Sequence, residues 1–345
     1  MIKKGNMSQL IQLDGGGGGG QMLRTALSLA MVTGQAFWMT NIRGQRRKPG
    51  LMRQHLTCVR AACEISGGTA DGAEIGSTEL VFRGGEVRGG SYQFAIGTAG
   101  STSLLLQTLL PALWSAKEPS TLRLEGGTHN PLAPPADFIK RVFLPAMEKL
   151  GARAELRLVQ AGFAPVGGGV IECEVQPCEK LGQIEWMERG ELREKSIRVP
   201  VRDLSLSIAG RVLDAALAAY PCEDAKVVAL PEGPGRGVAC FVEAGFDHGY
   251  ELCATFGEHG TSSEKVGRRA AKMMNDFIGN GAAVGRHLAD QLLLPMALAG
   301  GGRFTTMPPD RHVVTNIAVI EKFLPVKISG EKGDGGVCEV SVVGR

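Results

Sequence analysis

The sequence contains no apolar run long enough to cross a membrane. Its longest apolar stretches, "LLLQTLLPALW" and "QLLLPMALAG", contain glutamine or proline and fall short of the roughly 18–20 uninterrupted apolar residues that a span needs. The first residues, "MIKKGNMSQ", are too polar for a signal peptide. The 8 cysteines never form a CxxC pair and lie mostly in apolar patterns, so we expect reduced thiols in a cytoplasmic protein without membrane contact.

Several catalytic signatures are missing as well. No glycine-rich loop ends in GK[ST], which argues against ordinary Walker-type nucleotide binding. HExxH, His/Cys metal spacing and GxSxG are all absent, which excludes metal-hydrolase and serine-hydrolase chemistry. The net charge of +3 identifies no partner, and 345 residues with 43% hydrophobic content leave room for two globular domains.

One stretch of the sequence, in contrast, is an unbroken run of glycines. The stretch "LDGGGGGGQMLR", residues 13–24, holds consecutive glycines between a strand-like start and a helical pattern. Each glycine in an ordered element costs about 0.5–1 kcal/mol of conformational entropy, so an ordered run of glycines indicates a specific structural or functional requirement. It is either a flexible linker or a backbone nest that presents bare N–H groups to phosphate at a helix start.

The same junction of small residues and a helix occurs three times, at 18–34, 97–114 and 281–300. A short strand and a second helix follow each one, and the second helices begin near residues 49, 134 and 313. The distance along the chain from the second of these helix starts to the third exceeds the distance from the first to the second by roughly 95 residues, which is the size of a small domain. We therefore predict an α+β fold of two-layer repeats, with repeats 1 and 2 in residues 1–182, an inserted small α/β domain in 183–279 and repeat 3 in 280–345.

A basic loop follows the first repeat's strand. "NIRGQRRKPGLMRQH" contains arginines and a lysine but no acid, and arginine forks match phosphate oxygens. The alternatives are a solvated loop and a site for an anion or an RNA backbone. Of the 6 histidines, His248 and His259 lie among turn residues at the surface, and His129 is a loop residue that could line a site. His55, His287 and His312 lie at helix starts, where a histidine can cap, pack or catalyse.

Ordered motifs along nearly the whole chain resemble the RNA 3′-terminal phosphate cyclases. They include "GGGQMLRTALSLAMVTG", "IRGQRRKPGLMRQHLT", "FAIGTAGSTSLLLQTLLPALW", "GGTHNPLAPPADFI", "GFAPVGGG", "HLADQLLLPMALAGGG" and "HVVTNIAVIEKFLPV". The resemblance implies three repeats of a two-helix, four-stranded unit with a smaller domain inserted before the third. It also implies an ATP-dependent reaction that converts an RNA 3′-phosphate to a 2′,3′-cyclic phosphate through a covalent histidine–AMP and an RNA adenylate, with release of pyrophosphate and AMP.

Carried onto this chain, the resemblance implies that His312 is the nucleophile. The nucleotide-contacting positions it implies are Gln107, Pro134, His287, Leu288, Ala289, Asp290 and Gln291, with Pro134 on one face of the adenine and His287 opposite it. The positions near the phosphates and the RNA end are Arg24, Arg43, Arg46, Gln54 and His55. The implied partners are ATP, a divalent cation (Mg²⁺ or Mn²⁺) and RNA with a 3′-phosphate; the oligomeric state is open.

One departure from the family pattern concerns the glycine run. Gly17 stands where the family has a glutamate near the metal on the ATP phosphates, so the turn has lost its carboxylate. A non-catalytic RNA-binding relative of the cyclases is therefore an alternative, and a transferase acting on small phosphorylated metabolites is a more distant one. Formation of a covalent adenylate from ATP separates the enzyme from the RNA-binding relative.

Overall fold

The computed structural model describes residues 10–309 and 311–345, without the side chains of Arg311, His312 and Asp334. The first unit is a four-stranded sheet in the order β1-β2-β4-β3, with β1 parallel to β2 and the other pairs antiparallel. Its elements are β1 (Ile11–Asp14), α1 (Gly19–Thr33), β2 (Phe37–Thr40), α2 (Arg53–Ser66), β3 (Thr69–Asp71) and β4 (Leu80–Arg83).

The second unit repeats this topology in the order β5-β6-β8-β7. Its second helix is broken into two α-helical pieces around a π-helical turn, Ile139–Phe143. The elements are β5 (Gly90–Ala95), α3 (Thr102–Trp114), β6 (Ser120–Gly126), α4 (Ala136–Phe138), α5 (Leu144–Lys149), β7 (Ala154–Gln160) and β8 (Gly169–Val175).

A third sheet with the same pairing pattern is assembled from two separated parts of the chain. The strand β9 (Ile184–Trp186) pairs with β14 across the inserted segment. After that segment come α8 (Arg286–Leu298), β14 (Gly301–Thr306), α9 (Arg311–Phe323), β15 (Val326–Lys332), a 3-10 turn (Asp334–Gly336) and β16 (Cys338–Gly344). The α+β class with repeated units is thus confirmed. The domain boundaries at 182/183 and 279/280 stay predictions. Strand β9 lies inside the predicted inserted domain, 183–279, but pairs with a strand of the predicted third repeat, 280–345.

The inserted segment has a sheet and a core of its own. Its strands are ordered β11-β10-β12-β13, and the side chains of Ile197, Val199, Val242 and Met274 belong to a core separate from the main one. Its elements are β10 (Leu192–Arg202), α6 (Leu206–Ala219), β11 (Asp224–Ala229), β12 (Gly237–Phe246), β13 (Gly249–Phe256) and α7 (Ser263–Asn280).

Helix α1 is central to the main core because it packs against α2, α3 and α9. Its buried leucines and alanines cover most of its circumference, and Gly34 ends it in the left-handed conformation typical of a helix C-terminus. The glycine-rich start of α1 lies against the starts of α2 and α9, because Cβ atoms on Gly20 and Gly18 would meet His55 and Thr315. Helix α2 begins at Arg53, later than the expected start near Pro49, because Gly50 has a φ of 80° that a helix cannot contain.

All 8 cysteines are free thiols. Among the helices in the described parts of the chain, none is both long enough and apolar enough to cross a membrane.

Candidate active site

Four polar side chains join the starts of α1, α8 and α9. The Gln21 amide donates to Asp290 Oδ2. The Asn316 amide donates to Asp290 Oδ1 at 3.1 Å, and the Thr25 hydroxyl donates to Asn316 Oδ1 at 2.7 Å. Thr25 and Asn316 are 7% and 4% exposed, so the hydrogen bond between them is shielded from water and strengthened, whereas Gln21 and Asp290 are half-buried. Asp290 is thereby fixed from two sides at the junction of three sequence motifs.

Two glycines of the run, Gly19 and Gly20, are closely covered by side chains. A Cβ on Gly20 would lie 2.3 Å from His55 Nε2 and 2.9 Å from Arg24 Nη1. A Cβ on Gly19 would lie 3.0 Å from Arg46 Nη2, and Gly19 also has a φ of 60°. Any larger residue would push these nitrogens away from the backbone. The run is therefore an ordered helix start that two guanidinium groups and an imidazole approach, and the linker interpretation is wrong.

His55 is neutral in this arrangement. Its ring is 8% exposed, and Nδ1 accepts a hydrogen bond from the Met52 backbone N–H at 3.1 Å. The proton of the neutral ring is therefore on Nε2, which faces Gly20. Burial, followed by the charges of Arg24 and Arg43, lowers the pKa of His55 to about 3. At neutral pH the ring is an N–H donor toward the glycine run and carries no charge.

Arg24 and Arg46 supply the positive charge. Burial lowers the pKa of Arg24, and the nearby Asp290 carboxylate partly offsets the effect. Within the described part of the chain, neither guanidinium donates a hydrogen bond or forms a salt bridge, although the Asp290 carboxylate lies near enough to Arg24 to raise its pKa. Guanidinium groups beside a helix start without a side-chain cap attract an anion, and phosphate matches their forked geometry.

Arg43 and Gln54 are occupied by bonds within the protein. Arg43 Nη1 donates to the carbonyl oxygens of Lys48 and Gly50 at 2.7 and 2.9 Å, which closes the basic loop. Gln54 Oε1 accepts the Ser101 backbone N–H at 2.9 Å, which ties α2 to the start of α3. Both residues hold loops that border the glycine run, and their contact with RNA stays a prediction.

The expected adenine positions lie around α4. His287 is exposed, and its ring meets the Phe138 ring edge-on, with centroids 6.4 Å apart. Pro134 is half-buried and immediately precedes Pro135, the N-cap of α4. Both expected stacking residues thus border the helix that carries Phe138. Their contact with adenine stays a prediction.

The other expected nucleotide positions differ in exposure. Leu288 and Ala289 are buried in the main core at 1% and 4% exposure, so their side chains stabilise α8. Gln291 is half-buried, and its Oε1 is buried without a hydrogen-bond partner in the described structure. Gln107 is half-buried on α3, which packs against α1. The nucleotide contacts of these residues stay predictions.

The side chain of His312 lies outside the described residues. The backbone places residue 312 in the first turn of α9, one turn before Thr315 and Asn316. Thr315 Cβ lies 3.3 Å from where a Cβ on Gly18 would be, so the start of α9 meets the glycine run. Among the other histidines, His129 is buried between Phe163 and Phe241, whereas His248 and His259 are exposed as expected.

The described carboxylates do not form a metal site. Within residues 10–309 and 311–345, excepting the three undescribed side chains, no three or more His, Cys, Asp or Glu residues are placed to hold a metal ion. A Cβ on Gly17 would meet nothing within 4 Å, so the place of the missing carboxylate is open. Asp14 Oδ1, the nearest acid in sequence, accepts the Gly16 N–H and the Asn41 amide. The described side chains therefore do not fit a protein-held cation, and we derive no step through one.

Gln21, Thr25 and Asn316 were not predicted as site residues. Gln21 and Asn316 lie within the motifs "GGGQMLR" and "HVVTN", and polar residues on otherwise apolar helices are the signal that could have identified them. The sequence offers no sign of their partners, because the Gln21–Asp290 bond joins residues 269 positions apart.

The fold and the site define an α+β protein in which two guanidinium groups and an imidazole converge on a glycine-rich helix start. The chain belongs to the RNA 3′-terminal phosphate cyclase family, whose model matches residues 15–329. Among solved structures, an EPSP synthase from Acinetobacter baumannii aligns with 11% identity and a TM-score of 0.29. That alignment covers 96% of this chain and 65% of the synthase, so the chain spans less than two thirds of that protein's length.

Proposed function

We propose that this protein is an ATP-dependent RNA 3′-terminal phosphate cyclase. The observation that carries the proposal is the convergence of Arg24, Arg46 and the neutral His55 on Gly19 and Gly20. Membership of the family supports the reaction class. The cytoplasmic location expected from the unpaired cysteines stays a prediction.

The proposed reaction has three displacements at phosphorus. A ring nitrogen of His312 attacks the α-phosphorus of ATP, the bond to the bridging oxygen breaks, and pyrophosphate leaves. An oxygen of the RNA 3′-phosphate then attacks the same phosphorus and displaces the histidine, giving an RNA adenylate. Finally the 2′-hydroxyl attacks the 3′-phosphorus, gives up its proton and displaces AMP, which closes the 2′,3′-cyclic phosphate.

The described residues have distinct roles in this scheme. Arg24 and Arg46 neutralise the charge that develops on the phosphate oxygens, and the His55 Nε2–H donates a hydrogen bond without adding charge. Asp290, fixed by Gln21 and Asn316, orients the start of α8 toward the same place. Mg²⁺ or Mn²⁺ would arrive with ATP, held mainly by its phosphates.

The test uses ATP labelled on the α-phosphate with either cation. We expect acid-labile, alkali-stable label on the protein that disappears in His312→Ala. His259→Ala is the matched control, because His259 is exposed on the inserted domain and should label normally. Label that persists in His312→Ala would refute the assigned nucleophile.

The open position at Gly17 favours one alternative, a binding protein that no longer makes the adenylate. A Cβ at this position meets nothing within 4 Å, so Gly17→Glu tests the alternative directly. If only Gly17→Glu is labelled, the chain is a cyclase disabled at this position. If neither protein is labelled but both bind RNA with a 3′-phosphate, the binding-only function is correct.

A further inference from the structure

The entry into α8 is held in place by residues from other parts of the fold. Arg189, between β9 and β10, donates to the carbonyl oxygens of Phe277, Ile278 and Ala282 at 3.0, 2.7 and 3.1 Å. The Thr305 hydroxyl accepts the Ala283 backbone N–H at 3.0 Å. The segment that joins α7 to α8 is therefore fixed at its carbonyl groups and on its β14 side.

The last residue before α8 is fixed by the inserted domain. Glu251 lies on β13 and is 5% exposed. Its Oε1 accepts the Leu252 backbone N–H at 3.1 Å, and the Gly285 backbone N–H interacts with the same carboxyl group. A Cβ on Gly285 would lie 1.8 Å from Glu251 Oε2. The carboxyl group thus occupies the space where a side chain at the N-cap of α8 would be.

Gly285 is required for space, since its conformation is ordinary. Its φ of −72° and ψ of 163° suit any residue, and it makes no side-chain cap. The first turn of α8 contains no acid either. The Glu251 carboxyl group accepts the N–H of the N-cap residue itself, and it comes from a different domain.

We propose that Glu251 is a positioning residue for the nucleotide site, because it fixes the start of α8 that carries His287 and Asp290. Both residues follow Gly285 within five positions, so displacement of the N-cap moves them directly. The inserted domain thereby helps to position the residues of this site. The inference rests on the proposed function only where ATP is concerned.

The first test measures amide hydrogen exchange over residues 286–291 without ATP. In Glu251→Ala we expect exchange to accelerate by about tenfold, as for a lost helix cap. Glu251→Gln keeps an acceptor oxygen and should restore protection to within about twofold. The matched control is Glu243→Ala, since Glu243 is equally buried and pairs opposite Leu252 on β12, but bonds to Arg141 and Tyr250 instead of α8.

The second test measures the KM for ATP and kcat of adenylate formation. Glu251→Ala should raise KM by about tenfold with a smaller change in kcat, and Glu243→Ala should leave KM unchanged. If Glu251→Ala does not fold, Gly285→Ala displaces the carboxyl group and should loosen the same residues. Equal exchange in the Glu251 and Glu243 variants, or no rescue by glutamine, would overturn the inference. Absence of adenylate in the wild type would refute the proposed function and leave the exchange result standing.

Discussion

The change Gly20→Ala places one methyl group where the imidazole of His55 lies. Gly20 is in the first turn of α1, and its Cβ would be 2.3 Å from His55 Nε2. In an exposed helix, alanine in place of glycine stabilises by about 1 kcal/mol. Here the His55 ring has to move, and the ring is both buried and bonded to the Met52 N–H. The same substitution that usually stabilises a helix should therefore destabilise this one.

The magnitude follows from three contributions. Overpacking costs about 1–3 kcal/mol, and loss of the Met52–His55 hydrogen bond costs about 1 kcal/mol. The gain in helix propensity, about 1 kcal/mol, offsets the second cost. We expect a net loss of about 1–3 kcal/mol, together with a larger loss of adenylate formation because Arg24 Nη1 lies 2.9 Å from the same Cβ.

Thermal unfolding and α-phosphate labelling measure the two effects. The control is Gly17→Ala, where a Cβ meets nothing within 4 Å, and its melting temperature should stay the same or rise slightly. If Gly20→Ala melts as high as Gly17→Ala and labels at the wild-type rate, His55 and Arg24 do not act on the glycine run and the site is wrongly assigned.

Three further changes test other parts of the site. Asn316→Ala leaves the buried Thr25 hydroxyl and the Asp290 carboxylate without this partner, so it should lower the free energy of unfolding by about 2 kcal/mol, measured by thermal unfolding. The control Asn275→Ala loses one exposed hydrogen bond to Ala219 and should lower the free energy of unfolding by less than about 0.5 kcal/mol. Burial raises the pKa of Glu251 to about 8, so the free energy of unfolding of the wild type falls as pH rises from about 4.5 to 8. Relative to the wild type, the free energy of unfolding of Glu251→Gln should rise by up to about 5 kcal/mol across that window, measured by thermal unfolding at each pH. A difference that does not depend on pH would contradict the burial argument. His287→Ala should raise the KM for ATP by about tenfold while His287→Phe retains affinity, and equal values for both would refute stacking on the base.

The features predicted from sequence are those set by neighbouring residues. Helix starts at glycine and apolar positions at helical spacing are local signals, so α1, α3 and α8 lie where the patterns indicate. The strand β9 has three residues, too few for any period, and its pairing with β14 crosses the whole inserted segment. Glu251 gives no signal at all, because it is one acid in an alternating strand whose role depends on a glycine 34 positions later.

The helix starts explain how an open anion site coexists with a stable fold. In the inserted domain, α6 and α7 begin with serines that cap their own helices, Ser205 toward the Ser207 N–H and Ser262 toward the Lys265 N–H. Helices α1 and α8 begin after glycines, Gly18 and Gly285, that cap nothing. At α8 the Glu251 carboxyl group is bonded to the N–H of Gly285 and fills the space where a capping side chain would lie. At α1 the described side chains nearest to Gly19 and Gly20 are the guanidinium groups of Arg46 and Arg24 and the neutral ring of His55, and the Asp290 carboxylate that reaches this turn accepts the Gln21 amide. A helix start that has no side-chain cap and faces hydrogen-bond donors is most stable when an anion is bound. In the proposed reaction, the phosphates of ATP and RNA are that anion.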